Sequence, residues 1–310
     1  MKIISIVVAC YNERDNLIEM HDRIKSTFTH LSYGYELIYV DNASTDDSRV
    51  IYHNLVQQDS SVKVIFMARN LGTSQTSFFA GICNAKGDAV VLLDGDLQDP
   101  PELIPAFIEQ WEKGHEVVYA VRAERKGSLI RRICYWGFYR VFKWLSYLDI
   151  PLDSGDFGLM DRRVVAIISK LPEKDLFLRG LRAWVGFSQV GVPYKRPDRK
   201  HGDSRISFFA NFSWAKRAIV NFSTKPLEYI SRLAVMAIIV TLIASCFYLY
   251  RFMQPNTPRG FPTLLMVIFI FGTIQLLALS IISEYLLRIF QEVKARPPYI
   301  IQEILEQKKH

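Results

Sequence analysis

The sequence predicts an α/β protein in which a mostly parallel β-sheet carries helices on both faces, followed by two apolar helices near the C-terminus. In the first 121 residues, short runs of almost continuous apolar residues alternate with helical patterns. This alternation is typical of a parallel sheet covered on both faces. Nearer the C-terminus, two long stretches contain no charged residue. With 50% hydrophobic and 22% charged residues, the 310-residue chain is too apolar to be disordered or collagen-like.

The apolar runs predict five strands, and the segments between them predict helices. The predicted strands are 3–9, 35–40, 62–67, 89–93 and 116–121, and the predicted helices are 15–29, 46–58, 72–84 and 101–113. Ligands of such sheets bind beyond the carboxyl ends of the strands. We therefore expect the polar residues that follow strands one, two and four to lie close together. These residues are Asn12 and Glu13, then Asp41, then Asp94 and Asp96.

Two uncharged stretches, 233–250 and 260–283, are each long enough to cross a hydrocarbon layer of roughly 30 Å. We predict membrane-spanning helices at about 233–250 and 262–284. The alternative, a buried hairpin of soluble helices, needs a large apolar partner that the rest of the sequence does not supply. Lys and Arg residues flank the outer ends of the pair more than its connecting loop, which predicts that both termini are cytoplasmic. The first residues contain no long apolar signal core, which agrees with a cytoplasmic N-terminal domain.

Basic residues are concentrated in two zones, which indicates binding of phosphate groups or an anionic membrane surface. Residues 122–143 contain seven Lys or Arg and one acid, and residues 195–232 contain nine Lys or Arg and three acids. Parts of these zones, 128–148 and 206–222, are amphipathic and are predicted to lie in the membrane interface. Core packing or a solvated basic face remain the alternatives. The predicted organisation is a cytoplasmic domain, a juxtamembrane helix, a membrane hairpin and a cytoplasmic tail, at 1–205, 206–230, 231–290 and 291–310.

Two carboxylates and an amide follow the fourth predicted strand, as Asp94, Asp96 and Gln98. Such an all-oxygen set suits Mg²⁺ or Mn²⁺, with phosphate oxygens of a substrate as further ligands. An Asp-rich turn often binds no metal, but Tyr11-Asn12-Glu13 and the polar run 41–46 make the combination more specific. As alternatives, Asp41 and Asp46 could cap a helix, and Asp156 and Asp161 could be turn residues. The four cysteines are far apart and show no metal-binding spacing, so we expect reduced thiols.

These motifs resemble those of the inverting glycosyltransferases of family 2, which have the GT-A (Rossmann-like) fold. More narrowly, the sequence is similar to the polyprenyl-phosphate glycosyltransferases, relatives of dolichyl-phosphate mannose synthase and of bactoprenol glucosyltransferases. The resemblance covers essentially the whole chain, and the C-terminal apolar pair matches the bactoprenol branch. It is carried by YNE at 11–13, RNLG at 69–72, DGDLQDPP at 94–101, SGDFGLMDRRVV at 154–165, FLRG at 177–180 and RKHGDSRIS at 199–207.

The resemblance implies a role for several residues. Asp156 corresponds to the catalytic aspartate on the acceptor side, and Asp96 belongs to the catalytic centre as a metal ligand together with Asp94 and Gln98. The residues implied to bind the nucleotide sugar are Ala9, Tyr11, Glu13, Asp41, Asp94 and Arg122. Those implied to bind donor or acceptor phosphates are Arg131, Arg199 and Arg205, beside Arg122; the register at Arg131 competes with that of Arg132.

Three departures from the family pattern affect the site. The family often has DDGS where this chain has DNAS at 41–44, so one carboxylate is replaced by Asn42. The family's DFR is Asp156-Phe157-Gly158 here, which removes a guanidinium. The usual Lys after the GxS motif is Arg205, which keeps the charge and changes the geometry.

The resemblance implies transfer of one sugar from a nucleotide sugar, UDP-glucose first, to polyprenyl (undecaprenyl) phosphate, with inversion and with Mg²⁺ or Mn²⁺. It favours the bacterial inner membrane. Mannosyl or aminosugar transfer is the alternative, and a non-catalytic nucleotide-sugar-binding scaffold is the alternative of another class. A processive polysaccharide synthase is disfavoured because no QxxRW segment is present. The sequence gives no indication of nucleic-acid binding and leaves open whether the chain forms a homo-oligomer.

Overall fold

The computed structural model describes residues 1–122, 154–174, 176–196, 223, 225–252 and 260–307. Within these ranges the chain forms one eight-stranded sheet. Its strands are β1 (Ile3–Cys10), β2 (Gly34–Asp41), β3 (Val62–Met67), β4 (Ala89–Asp94), β5 (Val117–Arg122), β6 (Ser154–Asp161), β7 (Gln189–Tyr194) and β8 (Ile301–Glu306). Their order across the sheet is β7-β5-β6-β4-β1-β2-β3-β8.

The helices of the described residues cover the sheet or follow it. They are α1 (Leu17–Thr29), α2 (Ser48–Gln58), α3 (Ser74–Asn84), α4 (Ile104–Glu112), α5 (Arg162–Ile168), α6 (Leu178–Trp184), α7 (Lys225–Phe252) and α8 (Phe261–Val293). Short 3-10 turns precede α1 and α4. Thr73 begins α3 by accepting a hydrogen bond from the Gln75 amide, and Asp161 begins α5 by accepting one from the Arg163 amide. Asp161 also accepts a hydrogen bond from the Trp111 indole, so it is a helix cap rather than a simple turn residue.

The predicted α/β fold is confirmed. The five predicted strands and four predicted helices are present, with ends that differ from the expectation by three residues at most. The strands β1, β2, β3 and β4 pair in parallel, and so do β5 and β7, whereas β6 and β8 pair only antiparallel. The sheet is therefore mixed. The sequence analysis did not predict β6, β7 or β8.

Apolar residues of the central strands make up the core, because both faces of the sheet are covered. Ile6, Val8, Tyr39 and Val91 are fully buried, and Phe107 of α4 packs edge-to-face on Phe157 of β6 with 4.9 Å between ring centroids. Burying each such side chain contributes about 1.5–3 kcal/mol. This packing holds the strand ends in fixed positions, which is the requirement for a site built from loops at one edge.

Strand β6 lies antiparallel between β4 and β5, and its register brings distant residues together. Leu92 of β4 pairs with Gly158, so the same register continued by two residues sets Asp156 opposite Asp94. Gly158 has no room for a side chain, since an added Cβ would lie 2.4 Å from the Val118 carbonyl oxygen. The missing arginine of the DFR motif therefore follows from the close approach of β5 to β6.

Strand β8 follows the two apolar helices in sequence and is the last strand of the sheet beyond β3. It pairs antiparallel with β3, and its acidic side chains form ion pairs with two basic residues, Lys63 with Glu306 and Arg49 with Glu303. Just before the strand, the Tyr299 ring packs edge-on against Phe79 of α3. The segment 301–306, which the sequence analysis placed in a tail, is thus part of the sheet.

The described residues group into two compact units, the sheet with its helices and, separately, α7 with α8. Two segments of the second unit are apolar and long enough to span a membrane, Lys225–Ala244 and Val267–Val293, with mean hydropathies of 1.9 and 2.0. Neither is buried by protein, and large side chains such as Leu242, Ile243 and Leu276 are more than 60% exposed. These are candidate membrane spans that overlap the two predicted from sequence. The predicted amphipathic segments 128–148 and 206–222 lie outside the described residues.

Candidate active site

The carboxyl ends of three parallel strands meet at one edge of the sheet, as predicted. In the registers of β1 with its neighbours, Ala9 pairs with both Val40 and Asp94, and Cys10 pairs with Asp41. The Ala9 carbonyl also accepts a hydrogen bond from the Gly95 amide at 3.0 Å. Asp41 and Asp94 are therefore fixed on either side of the end of β1.

Each of the three loops that leave this edge contains a non-glycine residue in the left-handed region. These are Asn12 with φ 54°, Ala43 with φ 56° and Leu97 with φ 59°. Such backbone is costly for residues other than glycine and is found where tertiary contacts hold it, often at functional sites. Here the Asn12 amide donates to Ser44 Oγ at 2.9 Å, and the Asn12 side-chain oxygen accepts from the Thr45 amide at 2.8 Å. The first two loops therefore support each other.

Asp41 is buried at the end of β2 and is part of the predicted nucleotide side of the edge. Its carboxylate accepts hydrogen bonds from the amide and the hydroxyl of Ser44 and does not cap a helix. Burial raises the pKa of Asp41, and the Ser44 hydrogen bonds oppose this rise. Tyr11 and Glu13, also predicted here, lie on the preceding loop, where the Glu13 carboxylate accepts a hydrogen bond from Asn16.

Asn42 uses its amide in a way that an aspartate could not. Its Nδ2 donates to Asn70 Oδ1 at 3.1 Å, and its Oδ1 accepts from the Leu71 amide at 3.2 Å. An ionised aspartate could accept but not donate, so the asparagine of DNAS, in place of the second aspartate of DDGS, connects the loop after β2 to the RNLG segment through both bonds. The asparagine has a structural reason for being here.

The loop after β4 holds the predicted metal ligands Asp94, Asp96 and Gln98 on one turn. Asp96 Oδ1 accepts a hydrogen bond from the Gln98 amide at 3.1 Å, which closes the turn. Within the described ranges, no three His, Cys, Asp or Glu side chains are arranged to hold an ion by themselves. The donor chemistry nevertheless fits Mg²⁺ or Mn²⁺, because on nucleotide substrates these ions take one or two carboxylates and complete their shell with phosphate oxygens and water.

Asp99 connects this turn to the end of β7 and to the residue two positions after it. It is 4% exposed, and its carboxylate accepts hydrogen bonds from the Asp94 amide at 3.5 Å and from the Tyr194 hydroxyl at 3.3 Å. Arg196 reaches the same group, with its Nε 3.7 Å from Asp99 Oδ1 and its Nη2 4.0 Å from Asp94 Oδ2. Burial and the neighbouring carboxylates Asp99 and Asp96 raise the pKa of Asp94, and Arg196 opposes the rise.

Asp156 is held by two side chains that the sequence analysis did not single out. Arg179 donates from Nε to Oδ1 at 3.1 Å and from Nη2 to Oδ2 at 3.0 Å, and Gln75 Nε2 donates to Oδ2 at 2.8 Å. Gln75 is itself held, since its Oε1 accepts from the Leu178 amide. Burial acts to raise the pKa of Asp156, but Arg179, Arg182 and Gln75 together outweigh burial, so the pKa is below its usual value and the group is ionised.

A buried arginine lies beside this pair. Arg182 donates to the Gly155 carbonyl at 3.3 Å and stacks on the Tyr119 ring, and burial lowers its pKa to about 10. Arg122 at the end of β5 approaches Gly155 as well, with its Nη2 4.0 Å from where a Cβ would be. The backbone before Asp156 is thus flanked by two guanidinium groups.

The structure brings most predicted site residues to one edge. Ala9, Tyr11, Glu13, Asp41, Asp94, Asp96 and Gln98 lie on or beside the ends of β1, β2 and β4, with Arg122 at the end of β5 and Asp156 on β6. Arg131, Arg199 and Arg205 lie outside the described residues. Sequence reasoning missed Gln75, Asp99, Arg179, Arg182 and Arg196, although Asp99 and Arg179 belong to the motifs DGDLQDPP and FLRG.

Glycosyl transferase family 2 matches residues 5–166 of this chain, a range that includes most of β1, all of β2 to β6 and the carboxylates of the site described above. The chain belongs to this family and is a glycosyltransferase. The match agrees with the site, where carboxylates and guanidinium groups face each other beyond the strand ends of a mixed sheet.

Several relatives resemble the chain over nearly its whole length. An uncharacterized glycosyltransferase, YkcC, of Bacillus subtilis (strain 168) is 39% identical, over 96% of this chain and 93% of the relative. The SfII prophage-derived bactoprenol glucosyl transferase of Shigella flexneri is 35% identical, over 96% and 97%. A prophage bactoprenol glucosyl transferase homolog of Escherichia coli (strain K12) is 34% identical, over 97% and 99%.

Proposed function

We propose that this glycosyltransferase moves a single sugar from a nucleotide sugar, UDP-glucose in the first instance, to polyprenyl (undecaprenyl) phosphate at the cytoplasmic face of a membrane. The observation that carries the proposal is the antiparallel pairing of β4 with β6 up to Leu92 and Gly158, which brings Asp156 close enough to Asp94 to raise the pKa of Asp94. This sets an acceptor-side carboxylate beside a turn suited to a metal and a diphosphate. The names of the Shigella and Escherichia coli relatives support a glucosyl donor and a bactoprenol acceptor.

On the donor side, Tyr11, Glu13 and Asp41 would bind the base and ribose, and Asp94, Asp96 and Gln98 would hold Mg²⁺ or Mn²⁺. A divalent ion supplies positive charge to the leaving diphosphate. Arg122 would bind phosphate through paired donors.

On the acceptor side, an oxygen of the lipid phosphate forms the new bond to the anomeric carbon. The bond from that carbon to the diphosphate oxygen breaks, and its electron pair leaves with the nucleoside diphosphate. One displacement inverts the configuration at this carbon. A phosphate monoester has a second pKa of about 6 and is already largely a dianion at neutral pH. Asp156, held by Arg179 and Gln75, therefore positions the acceptor and stabilises developing positive charge rather than removing a proton.

The membrane topology follows from the sheet if α7 and α8 cross a bilayer. Strands β1 to β7 precede these helices, β8 follows them, and all belong to one sheet. The chain must therefore leave and re-enter on the same side, which supports a hairpin with the catalytic domain and both termini in the cytoplasm. The Lys and Arg residues outside the hairpin support the same orientation.

The test is transfer of radiolabelled sugar from UDP-glucose to undecaprenyl phosphate by the full chain in detergent, with and without EDTA. GDP-mannose and UDP-N-acetylglucosamine run in parallel as donors. We expect labelled lipid from UDP-glucose that is lost with EDTA and restored by Mn²⁺ or Mg²⁺. The variant Asp156→Asn should abolish most of the labelling, and Arg163→Gln, which removes a guanidinium that is 66% exposed on the surface, should retain it.

The other outcomes separate the alternatives. Labelling only from GDP-mannose or the aminosugar donor keeps the reaction and changes the sugar. Labelling that persists in EDTA would contradict the proposed requirement for a divalent metal ion. No labelling from any donor, together with measurable UDP binding, would favour the non-catalytic scaffold.

A further inference from the structure

Arg196 lies beside the predicted metal turn, and the sequence analysis gave it no role of its own beyond its membership of the basic zone 195–232. It follows β7 by two residues, and its guanidinium lies between the Asp94 and Asp99 carboxylates at 4.0 and 3.7 Å. Its side chain is 23% exposed, so a ligand can reach it, whereas Asp99 beneath it is 5% exposed.

The contacts of Arg196 are ion pairs without close hydrogen bonds. Both distances exceed hydrogen-bond length, and its Nε has no hydrogen-bond partner among the residues that the structure describes. Arg179 differs, since it donates two hydrogen bonds of 3.0–3.1 Å to Asp156. Arg179 is therefore fixed by its hydrogen bonds, whereas Arg196 forms only longer ion pairs and can also pair with another anion.

The position of Arg196 has opposite consequences for two ligands. A divalent cation on Asp94 would come close to a like charge, so Arg196 disfavours the cation alone. A nucleoside diphosphate that arrives with the cation brings negative charge beside the Arg196 guanidinium, whose two ion pairs are both longer than hydrogen bonds. Arg196 would then pair with the diphosphate and leave Asp94 to the cation.

We propose that Arg196 couples metal binding to nucleotide binding, so that the site takes up the cation together with the nucleoside diphosphate in preference to the cation alone. This inference rests on the proposed function. It assigns Arg196 as a positioning residue that exchanges Asp94 for a phosphate group. The affinities for the two ligands are then coupled, and the coupling is reciprocal. UDP tightens Mn²⁺ binding by the same factor as Mn²⁺ tightens UDP binding.

The experiment measures Mn²⁺ affinity of the full chain in detergent from the electron paramagnetic resonance signal of free Mn²⁺, with and without UDP. The variants are Arg196→Gln, which removes the charge, and Arg196→Lys, which retains it. The control is Arg163→Gln, which changes the net charge equally on a surface arginine paired with Glu116 and Asp161. Thermal unfolding of each variant checks that the fold is retained.

In the wild type we expect UDP to tighten Mn²⁺ binding at least about 10-fold, within the usual range of coupling between sites. In Arg196→Gln, Mn²⁺ alone should bind more tightly and Mn²⁺ with UDP more weakly, so the coupling factor falls by several-fold. In Arg196→Lys and Arg163→Gln, UDP should still tighten Mn²⁺ binding as it does in the wild type.

The inference is overturned if Arg196→Gln leaves the coupling factor unchanged, or weakens Mn²⁺ binding equally with and without UDP, which would indicate a merely structural role. A wild type that binds no UDP in the presence of Mn²⁺ would instead contradict the proposed function, and this inference with it.

Discussion

Arg179 binds both carboxylate oxygens of Asp156, with Nε–Oδ1 and Nη2–Oδ2 distances of 3.1 and 3.0 Å, inside a pocket where the Asp156 side chain is 8% exposed. A buried carboxylate in this position must be paired, because an isolated buried charge is strongly unfavourable. The pair fixes the direction of Asp156 relative to Asp94 across the sheet. It also keeps Asp156 ionised.

The first prediction concerns the strength of this pair. Arg179→Ala should lower the free energy of unfolding by about 3–5 kcal/mol, because it leaves a buried carboxylate without its cation. The double variant Arg179→Ala/Asp156→Asn should recover a large part of that loss. Thermal or denaturant unfolding of the full chain in detergent measures the double-mutant cycle. Additive effects of the two substitutions would contradict the assigned pairing.

The pH dependence of transfer should report the acceptor and not Asp156. The pKa of Asp156 is held below its usual value, so this carboxylate stays ionised throughout the range in which the enzyme is assayed. We expect kcat/KM to fall on the acid side near pH 6, where the lipid phosphate gains its second proton. The measurement is a pH–rate profile from pH 5 to 8. Near-normal turnover of Asp156→Asn above pH 7 would exclude any essential role for this carboxylate.

Gly158 and Gly155 offer a matched test of the sheet packing around the site. Gly158→Ala should destabilise the protein by about 2 kcal/mol or more, because its Cβ would lie 2.4 Å from the Val118 oxygen. Gly155→Ala should be tolerated by the fold, since its nearest neighbour would be 3.7 Å away. The unfolding temperatures of the two variants give the comparison. Equal temperatures would contradict the close approach of β5 to β6.

Asp59 should make stability depend on pH in acid. Burial acts to raise its pKa, but hydrogen bonds from Ser61, His21 and Tyr35 outweigh burial and hold it at about 2. Because the folded pKa lies below the unfolded value of about 4, the ionised group stabilises the fold above pH 4. This contribution, about 1 kcal/mol after solvent screening, is lost as the pH falls from 4 towards 2.

The corresponding measurement is the unfolding temperature between pH 3 and 7 for the wild type and for Asp59→Asn. The variant should be less stable at neutral pH and should lose less stability on acidification. Asp47→Asn, at a side chain that is 77% exposed, serves as the control and should follow the wild type. A parallel pH dependence of the wild type and Asp59→Asn would contradict the assignment.

The sequence predicted β1 to β5 because each of these strands is a local, nearly continuous apolar run. It could not predict β6, whose residues Ser154 to Asp161 mix glycine and acidic residues in an eight-residue strand. Nor could it predict β8, because its partner β3 lies more than 230 residues earlier in the chain. Antiparallel insertion of this kind depends on tertiary pairing, which leaves little periodic signal.

The sequence likewise predicted one part of the site, the residues at the strand ends, and not the side chains that surround Asp156. The residues that follow β1, β2 and β4 were found because strand ends of a parallel sheet converge. The partners of Asp156 were not, since Gln75 and Arg179 are 81 and 23 residues away in sequence, and their side chains meet it only after β6 has entered the sheet. Arg196 shows no motif at all, and its place beside Asp94 follows only from the end of β7.

The position of β8 also imposes an order on biosynthesis. Its six residues are translated after both apolar helices, so the outer edge of β3 stays uncovered until α7 and α8 have been synthesised. An uncovered strand edge can pair with other chains. The catalytic sheet is therefore exposed to misassembly throughout the period in which the hairpin is synthesised, and it becomes complete only afterwards. In this protein, β8 can pair with β3 only after α7 and α8 have been synthesised, so these are successive events in one nascent chain.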